Sequence, residues 1–173
     1  MAKAKSNILF SVGEHVVYPV QGVGEIRSIE KRPFKDQEVL YYEIYFETTD
    51  MTVMVPVEKA EAIRIRKIVS EKESVAALAQ IGADYVPSTA DWKTRYQQNL
   101  DKLKTGEIND VAVVVRALYD RSKLKELPIL ERKLYDNAIK LLIDEISISM
   151  KKTKKESEAL IFEKLEAEKN KEE

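Results

Sequence analysis

The chain has 173 residues, 44% of them hydrophobic and 34% charged, with a formal net charge of −1 at pH 7. This length permits one large or two small domains with a highly charged surface, and the absence of cysteine excludes disulfides and thiolate metal sites. No apolar run is long enough to span a membrane, and the N-terminus lacks the apolar stretch of a signal peptide. We therefore expect a cytoplasmic protein that does not grip DNA by charge alone.

The N-terminal part of the chain, up to residue 65, carries the pattern of short β-strands after a polar lead-in over residues 1–11. Segments rich in β-branched or aromatic residues, each ending at turn residues, are 14–18, 25–32, 39–46 and 51–56. A fifth short strand is predicted within residues 60–65. This spacing predicts a small antiparallel barrel or sandwich. The segment 51–56 is short and ends in proline, which suits a sheet edge that accepts a partner strand, although an ordinary barrel strand fits equally well.

From Ser70 onwards the apolar residues recur at helical spacing. The predicted helices start at the capping box Ser70/Glu73, at Asp91, near Glu107, near Pro128 and near Lys151. Their predicted apolar faces are, in order, Val75, Leu78 and Ala79; Leu100 and Leu103; Ile108, Val111, Val115 and Leu118; Leu134, Ala138, Leu141, Leu142 and Ile146; and Leu160, Ile161 and Leu165. Gly106 is predicted to end the second helix, and the fifth to run to residue 170.

Strand patterns and helix patterns are segregated along the chain, which predicts an α+β protein of two domains. Residues 1–68 form the small β-barrel and residues 69–173 an all-α helical bundle. The lysine- and glutamate-rich tail beyond about residue 150 is expected to present a solvated face of mixed charge.

The second predicted helix contains the single tryptophan. Trp92 follows Asp91, a good N-cap, and lies near Lys93, Arg95 and Gln97. A flat apolar side chain at a helix start, beside basic and amide groups, can enter the minor groove as a wedge. The alternative is that the indole holds the helix onto its own core. The helix and its flanks carry four basic and two acidic residues, a local charge of +2, so DNA contact here would be weak by itself.

The sequence contains none of the catalytic or cofactor-binding motifs that would indicate an enzyme. His15 is the single histidine and has no cysteine to pair with, so neither a nucleophilic pair nor the usual zinc constellation is available. Gly22 and Gly24 form G-x-G without the third glycine or the helix that a dinucleotide site needs. We read His15 as a strand-face residue and the protein as a binding protein with no cofactor, no metal and no small-molecule substrate.

Short motifs in both halves of the chain resemble the CarD family of bacterial transcription regulators. They are VGEHVVYP (12–19), Gly22, Gly24, IEKR (29–32), TVMVP (52–56), EKAE (58–61), Trp92, RY (95–96), NL (99–100), KL (102–103), Gly106, VVR (114–116) and Leu118. The resemblance covers about residues 8–150. The first half also resembles a module of transcription-repair coupling factors, but nothing here resembles their helicase motor.

The resemblance implies a Tudor-like, SH3-like N-terminal barrel that docks on the β subunit of RNA polymerase. It also implies a helical domain that contacts promoter DNA at the upstream edge of the bubble, where Trp92 would be the wedge and Lys93, Arg95 and Gln97 would accompany it. Thr94 and Gln97 stand where family members can carry basic residues, which weakens the expected phosphate contact.

On the docking side, Arg32 and Phe34 match family contact positions and are joined by Val53 and Met54. Some members carry arginine where this chain has Met54, which makes the contact less polar here.

The resulting expectation is a transcription regulator that modulates open-complex stability. Its partners would be the polymerase β subunit and promoter DNA, with no membrane contact, and it is expected to be a monomer because no heptad seam is long enough to demand a coiled coil. The alternative is a protein-only adaptor with a strand-edge barrel and a helical interaction domain.

Overall fold

The computed structural model describes residues 7–167 and divides the chain into two compact units, Met1–Ile68 and Val69–Glu173. Each unit is described by itself. The first six residues of the predicted lead-in and residues 168–170 of the predicted last helix lie outside the described residues.

The first unit, here the β unit, is a five-stranded antiparallel sheet. Its strands are β1 His15–Tyr18, β2 Gly22–Phe34, β3 Gln37–Phe46, β4 Met51–Pro56 and β5 Arg66–Lys67, in the order β4-β3-β2-β1-β5. The four longer strands lie where the sequence predicts them, and β4 is an edge strand. Among the described strands, β4 does not pair with β5, so the pairing that would close the predicted barrel is not seen.

The core of the β unit lies on one face of the sheet. Tyr42, Ile44 and Phe46 alternate along β3 and are buried, whereas Tyr41 and Tyr45 lie on the opposite face and are half-buried. Of the three tyrosines in this strand, only Tyr42 therefore lies in the core. Phe10 packs against Tyr42 with 5.5 Å between ring centroids, so the end of the predicted frayed lead-in belongs to the core.

The predicted fifth strand within residues 60–65 is wrong. That stretch is a turn, in which the Ile65 amide donates to the Ala60 carbonyl at 3.0 Å and Arg64 has a left-handed φ of 63°. Ala60 and Ile65 are buried, so their apolar character reflects core packing rather than an extended backbone. Pairing with β1 begins afterwards, at Arg66.

Gly24 is required by the close approach of β2 to the core. A Cβ at this position would lie 2.5 Å from Ile44 Cγ2 and 3.0 Å from Phe46 Cε1. We expect Gly24→Ala to lower the free energy of unfolding of the β unit by about 1–3 kcal/mol, the usual cost of overpacking a core. Urea denaturation measures this. Gly82→Ala is the control, because its Cβ would meet nothing nearer than 3.7 Å, and equal losses in the two variants would contradict the packing argument.

The second unit, here the helical unit, consists of five helices over the described residues. They are α1 Glu71–Ile81, α2 Trp92–Thr105, α3 Ile108–Leu124, α4 Ile129–Ser149 and α5 Lys154–Glu166. Ser70 forms the predicted capping box with Glu73, and Gly106 ends α2 with a left-handed φ of 75°. Thr153 and Glu156 form a second capping box at the start of α5.

The helices enclose one apolar core. The predicted stripes of α3 and α4 are confirmed, since Ile108, Val111, Val115, Leu118, Leu134, Ala138, Leu142 and Ile146 are all buried. The predicted face of α1 is wrong in part. Val75 and Ala79 are exposed, whereas Ala77 and Ile81 accompany Leu78 in the core. The buried face also contains Ser74, whose hydroxyl donates to the Ser149 hydroxyl at 2.7 Å, and a polar residue of this kind hides the stripe from a hydrophobic pattern.

Candidate nucleic-acid interface and docking surface

The first turn of α2 is capped by its own side chains. The Asp91 carboxylate accepts hydrogen bonds from the backbone amides of Lys93 at 2.9 Å and Thr94 at 3.1 Å, and from the Thr94 hydroxyl at 2.9 Å. The bonds from Thr94 hold the pKa of Asp91 below its usual value. Because a carboxylate already occupies the positive end of the helix, any phosphate must be bound by side chains rather than by these amides.

Trp92 is the first residue of α2 and keeps 40% of its surface exposed. The core that receives Tyr96, Leu100 and Leu103 from the same helix does not include it. The Lys93 ammonium lies 5.9 Å from the centroid of the indole ring. One side of the indole is thus open to solvent with a cation beside it, as a wedge would require.

Arg95 does not face solvent. It is 8% exposed, and its Nε and Nη2 donate to the two carboxylate oxygens of Glu131 at 2.6 and 2.9 Å, while Glu131 itself is fully buried. Its Nη1 donates to the Ala90 carbonyl at 3.1 Å, and the hydrogen bond to Glu131 raises the pKa of Arg95. The guanidinium of Arg95 is therefore engaged inside the helical unit, which argues against a direct contact with DNA, and that predicted contact stays untested.

Gln97 is exposed but lies on another side of α2. Its amide donates to the Asp101 carboxylate at 2.8 Å. Gln97 is five positions further along the helix than Trp92, which places the two well over a right angle apart around a helix of about 3.6 residues per turn. Of the predicted DNA-contacting residues, the structure brings together only Trp92 and Lys93.

Trp92 lies at one end of the helical unit, together with features that the sequence reasoning missed. The Arg95–Glu131 pair joins the first turns of α2 and α4, and residues 125–128 join α3 to α4. Exposed large apolar side chains at this end are Trp92, Val86, Leu124, Ile129 and Leu130, and exposed lysines are Lys93, Lys123 and Lys125. We call this set the Trp92 surface. The sequence indicates this surface only through apolar residues that lie in, or directly beside, the connections before α2 and between α3 and α4.

The predicted docking residues of the β unit separate onto two faces of the sheet. The register pairs Arg32 with Val39, Phe34 with Gln37 and Met54 with Glu43, all opposite to the buried face. Val53 lies on the buried face, where it packs against the core. The Val53 side chain is thus half-buried against the core, which leaves mainly its edge-strand backbone open to a partner, and the contact of Val53 with a partner stays a prediction.

The remaining docking residues share the outer face but are not adjacent. Arg32 and Phe34 are exposed near the tip of the β2–β3 hairpin, and Met54 is half-buried on β4. Met54 is two strands and four residues from Arg32, which corresponds to about 10 Å across the sheet and about 13 Å along it. Tyr41 lies between them on the same face. We call Arg32, Phe34, Tyr41 and Met54 the outer-face patch.

Within residues 7–167 no three His, Cys, Asp or Glu side chains are grouped so that they could hold a metal ion. No helix in that range has both the length and the apolar character needed to cross a membrane. His15 lies on β1 opposite Glu25, as expected for a strand-face residue.

Comparison with known proteins gives matches in both units. Residues 10–69 match the family described as "CarD-like/TRCF RID domain", and residues 76–162 match the family described as "CarD, C-terminal domain". The chain is also 38% identical over 144 residues, 81% of this chain and 92% of its relative, to "Putative transcription factor YdeB" of Bacillus subtilis (strain 168). The chain belongs to the CarD family.

The CarD-family match extends further along the chain than the resemblance read from the motifs. The C-terminal family domain continues to residue 162, within α5. Ile161 and Leu165 of α5 are buried in the same core as α1 and α3. The described part of the tail beyond residue 150 thus contributes a helix to the CarD C-terminal domain, with Ile161 and Leu165 of the predicted narrow apolar face in the core and most of its charged residues exposed.

Proposed function

We propose that this CarD-family protein is a non-catalytic transcription regulator. Its β unit docks on the β subunit of RNA polymerase, and its helical unit contacts promoter DNA at the upstream edge of the melted bubble. The observation that carries the proposal is an exposed tryptophan, flanked by lysine, at a helix start in a chain with both CarD domains. The name of the B. subtilis relative supports the same class of function.

On the DNA side, the indole of Trp92 inserts at the edge of the bubble and stacks where base pairs have separated. Lys93 places a cation next to the indole, with its ammonium 5.9 Å from the ring centroid. Arg95 takes no part in direct contact. Wedges of this type offset a few kcal/mol of unstacking by holding deformed DNA.

On the polymerase side, the outer-face patch and the free edge of β4 form the docking surface. Edge strands bind partners through main-chain hydrogen bonds, and side chains beside the edge supply specificity. Arg32, Phe34 and Met54 provide one charged and two apolar contacts on one face of the sheet. Phe34 and Met54 favour an interface of mainly apolar character.

A weak DNA contact becomes effective when docking holds it near its target. The net charge of −1 gives little affinity for free DNA, whereas tethering raises the effective concentration of the wedge without new bonds. The wedge binds melted DNA better than closed duplex, and it shifts the equilibrium by that difference in affinity. One chain carries both contacts, so a monomer suffices.

A protein-only adaptor is the second candidate. Exposed large apolar side chains such as those of the Trp92 surface also occur at protein interfaces. The adaptor requires that promoter DNA leave the environment of the indole unchanged. Because Trp92 is the single tryptophan of the chain, expression with 5-hydroxytryptophan labels this position alone, and the red-shifted fluorescence of the label in the complex with polymerase and promoter separates the two candidates.

Trp92→Ala tests the proposal directly. We expect the variant to fold and to bind polymerase as the wild type does, but to stabilise the open complex roughly 5- to 150-fold less, since base–aromatic stacking is worth about 1–3 kcal/mol. Open-complex lifetimes on a promoter with excess competitor measure this.

Trp92→Phe is the matched control for Trp92→Ala. It keeps an aromatic face and should keep part of the effect. Lifetimes indistinguishable between Trp92→Ala and the wild type would refute the wedge.

A further inference from the structure

Residues 82–91 connect α1 to α2 without helix or strand and lead directly into Trp92. Buried arginines bind the backbone at both ends of this connector. Arg116 Nη1 donates to the carbonyl of Ile81 at 2.6 Å, and Arg95 Nη1 donates to the carbonyl of Ala90 at 3.1 Å. Arg116 is 5% exposed, comparable to Arg95.

Each guanidinium is neutralised by a carboxylate from a neighbouring turn or helix. Arg116 Nε donates to Asp120 at 2.6 Å on α3, and Arg95 pairs with Glu131 on α4. Burying such pairs costs desolvation energy that well-packed apolar side chains avoid. One pair binds the last carbonyl of α1, directly before the connector, and the other binds a carbonyl near the end of the connector, which indicates a role in fixing the geometry of the connector.

Tyr85 lies between the two ends of the connector. It is half-buried, and its burial raises the pKa of its hydroxyl. The same hydroxyl lies within the electrostatic influence of Asp120, Arg95 and Arg116. The middle of the connector is thus half-buried through Tyr85, and it lies in the chain between the two backbone carbonyls that Arg116 and Arg95 hold.

We propose that Arg95 and Arg116 are positioning residues that hold the connector and thereby fix the orientation of the Trp92 indole. Neither guanidinium contacts nucleic acid. Arg95 ties the residue before the N-cap of α2 to α4, so the first turn of α2 cannot tilt without breaking this pair. A wedge held in its bound orientation before binding avoids the ordering cost on insertion. This inference rests on the proposed function of Trp92.

The test uses full-length Arg95→Met/Glu131→Leu, which replaces the ion pair with apolar side chains and removes the contact to Ala90. Acrylamide quenching of Trp92 in the free protein reports the orientation of the indole. Open-complex lifetime with polymerase reports its function. We expect quenching to change and the stabilisation of the open complex to fall roughly five-fold or more, because misplacing a group by about 1 Å can cost up to about 100-fold.

The same substitutions in a Trp92→Ala background separate positioning from general stability. A positioning role predicts no further loss of open-complex lifetime there, whereas a merely structural role predicts the same additional loss as in the wild-type background. Arg95→Lys, which keeps the charge beside Glu131, should restore part of the effect. Arg116→Met should act like the double variant, because Asp120 is partly exposed and is not left as a buried charge.

Quenching and lifetime equal to the wild type in both Arg95→Met/Glu131→Leu and Arg116→Met would overturn the positioning role. An additional loss in the Trp92→Ala background would overturn it as well. If the double variant does not fold, Arg95→Lys and Arg116→Met decide by the same two measurements. An unchanged lifetime in Trp92→Ala alone would instead refute the wedge, while quenching would still show whether the connector is held.

Discussion

Arg95→Met lowers the free energy of unfolding of the helical unit by about 3–5 kcal/mol, because it leaves the Glu131 carboxylate buried without a partner. Glu131 is fully buried, and both of its oxygens accept from Arg95. The Ala90 carbonyl also loses its donor. Such a loss is a large fraction of the stability of an ordinary domain. Thermal and urea unfolding followed by circular dichroism measure it.

Two further variants separate the effect of leaving Glu131 buried without a partner from the effect of losing an arginine side chain. Arg95→Met/Glu131→Leu should recover most of the stability, since apolar residues of similar volume replace buried ion pairs at little or no cost. Arg132→Met is the control. This arginine is exposed, and its pair with Asp136 spans 3.6 Å at the surface, so its removal should change stability by less than about 1 kcal/mol. Equal losses for Arg95→Met and Arg132→Met would contradict the assignment of a buried pair.

Met54→Glu weakens binding of the full-length protein to RNA polymerase by about 10- to 100-fold, because it places a charge in the apolar part of the outer-face patch. The side chain is half-buried on the outer face of β4, so the β unit should remain folded. Biolayer interferometry with polymerase measures the dissociation constant, and circular dichroism checks the fold.

Met51→Glu is the matched control on the same strand. Met51 is exposed at the start of β4, opposite Phe46, and its parity places it on the other face of the sheet from Met54. We expect it to bind polymerase nearly as the wild type does. If Met51→Glu and Met54→Glu lose affinity equally, the contact depends on the whole edge or on net charge rather than on the outer-face patch. Val53→Ala should instead destabilise the β unit, because this side chain packs against the core.

Features that depend on neighbours in the chain were predicted closely. The helix caps at Ser70 and Asp91 and the left-handed Gly106 are predictable because only a few residue types satisfy the backbone at the end of a helix. The strands of the hairpins follow from alternation and turn residues, and the stripes of α3 and α4 follow from long helical repeats. Family motifs in both halves agreed with the matched domains.

Features that depend on distant residues were not predicted. The sequence around an arginine next to a tryptophan does not show whether that arginine is exposed or buried. Arg95 is buried because it pairs with Glu131, 36 residues later in the chain. Phe10 joins the core through Tyr42, 32 residues away. The predicted buried face of α1 is wrong in part because Ser74 is buried, and its hydroxyl is hydrogen-bonded to Ser149 on a distant helix. In each case a polar or isolated residue is buried by a partner that no local pattern reveals.

The sequence by itself determined the division into a strand-rich and a helix-rich half, the starts and ends of most elements, and the position of the single tryptophan at a helix start. It could do so because hydrophobic period, caps and turns act over a few residues. Only the tertiary structure decided that β4 is an edge, that Val53 points into the core, and that Trp92 stays exposed while Arg95 turns inward. Burial and ion pairing depend on which elements pack against each other in the folded protein. The free energy of those contacts comes from pairs of segments that are distant in sequence, so no single segment reveals it.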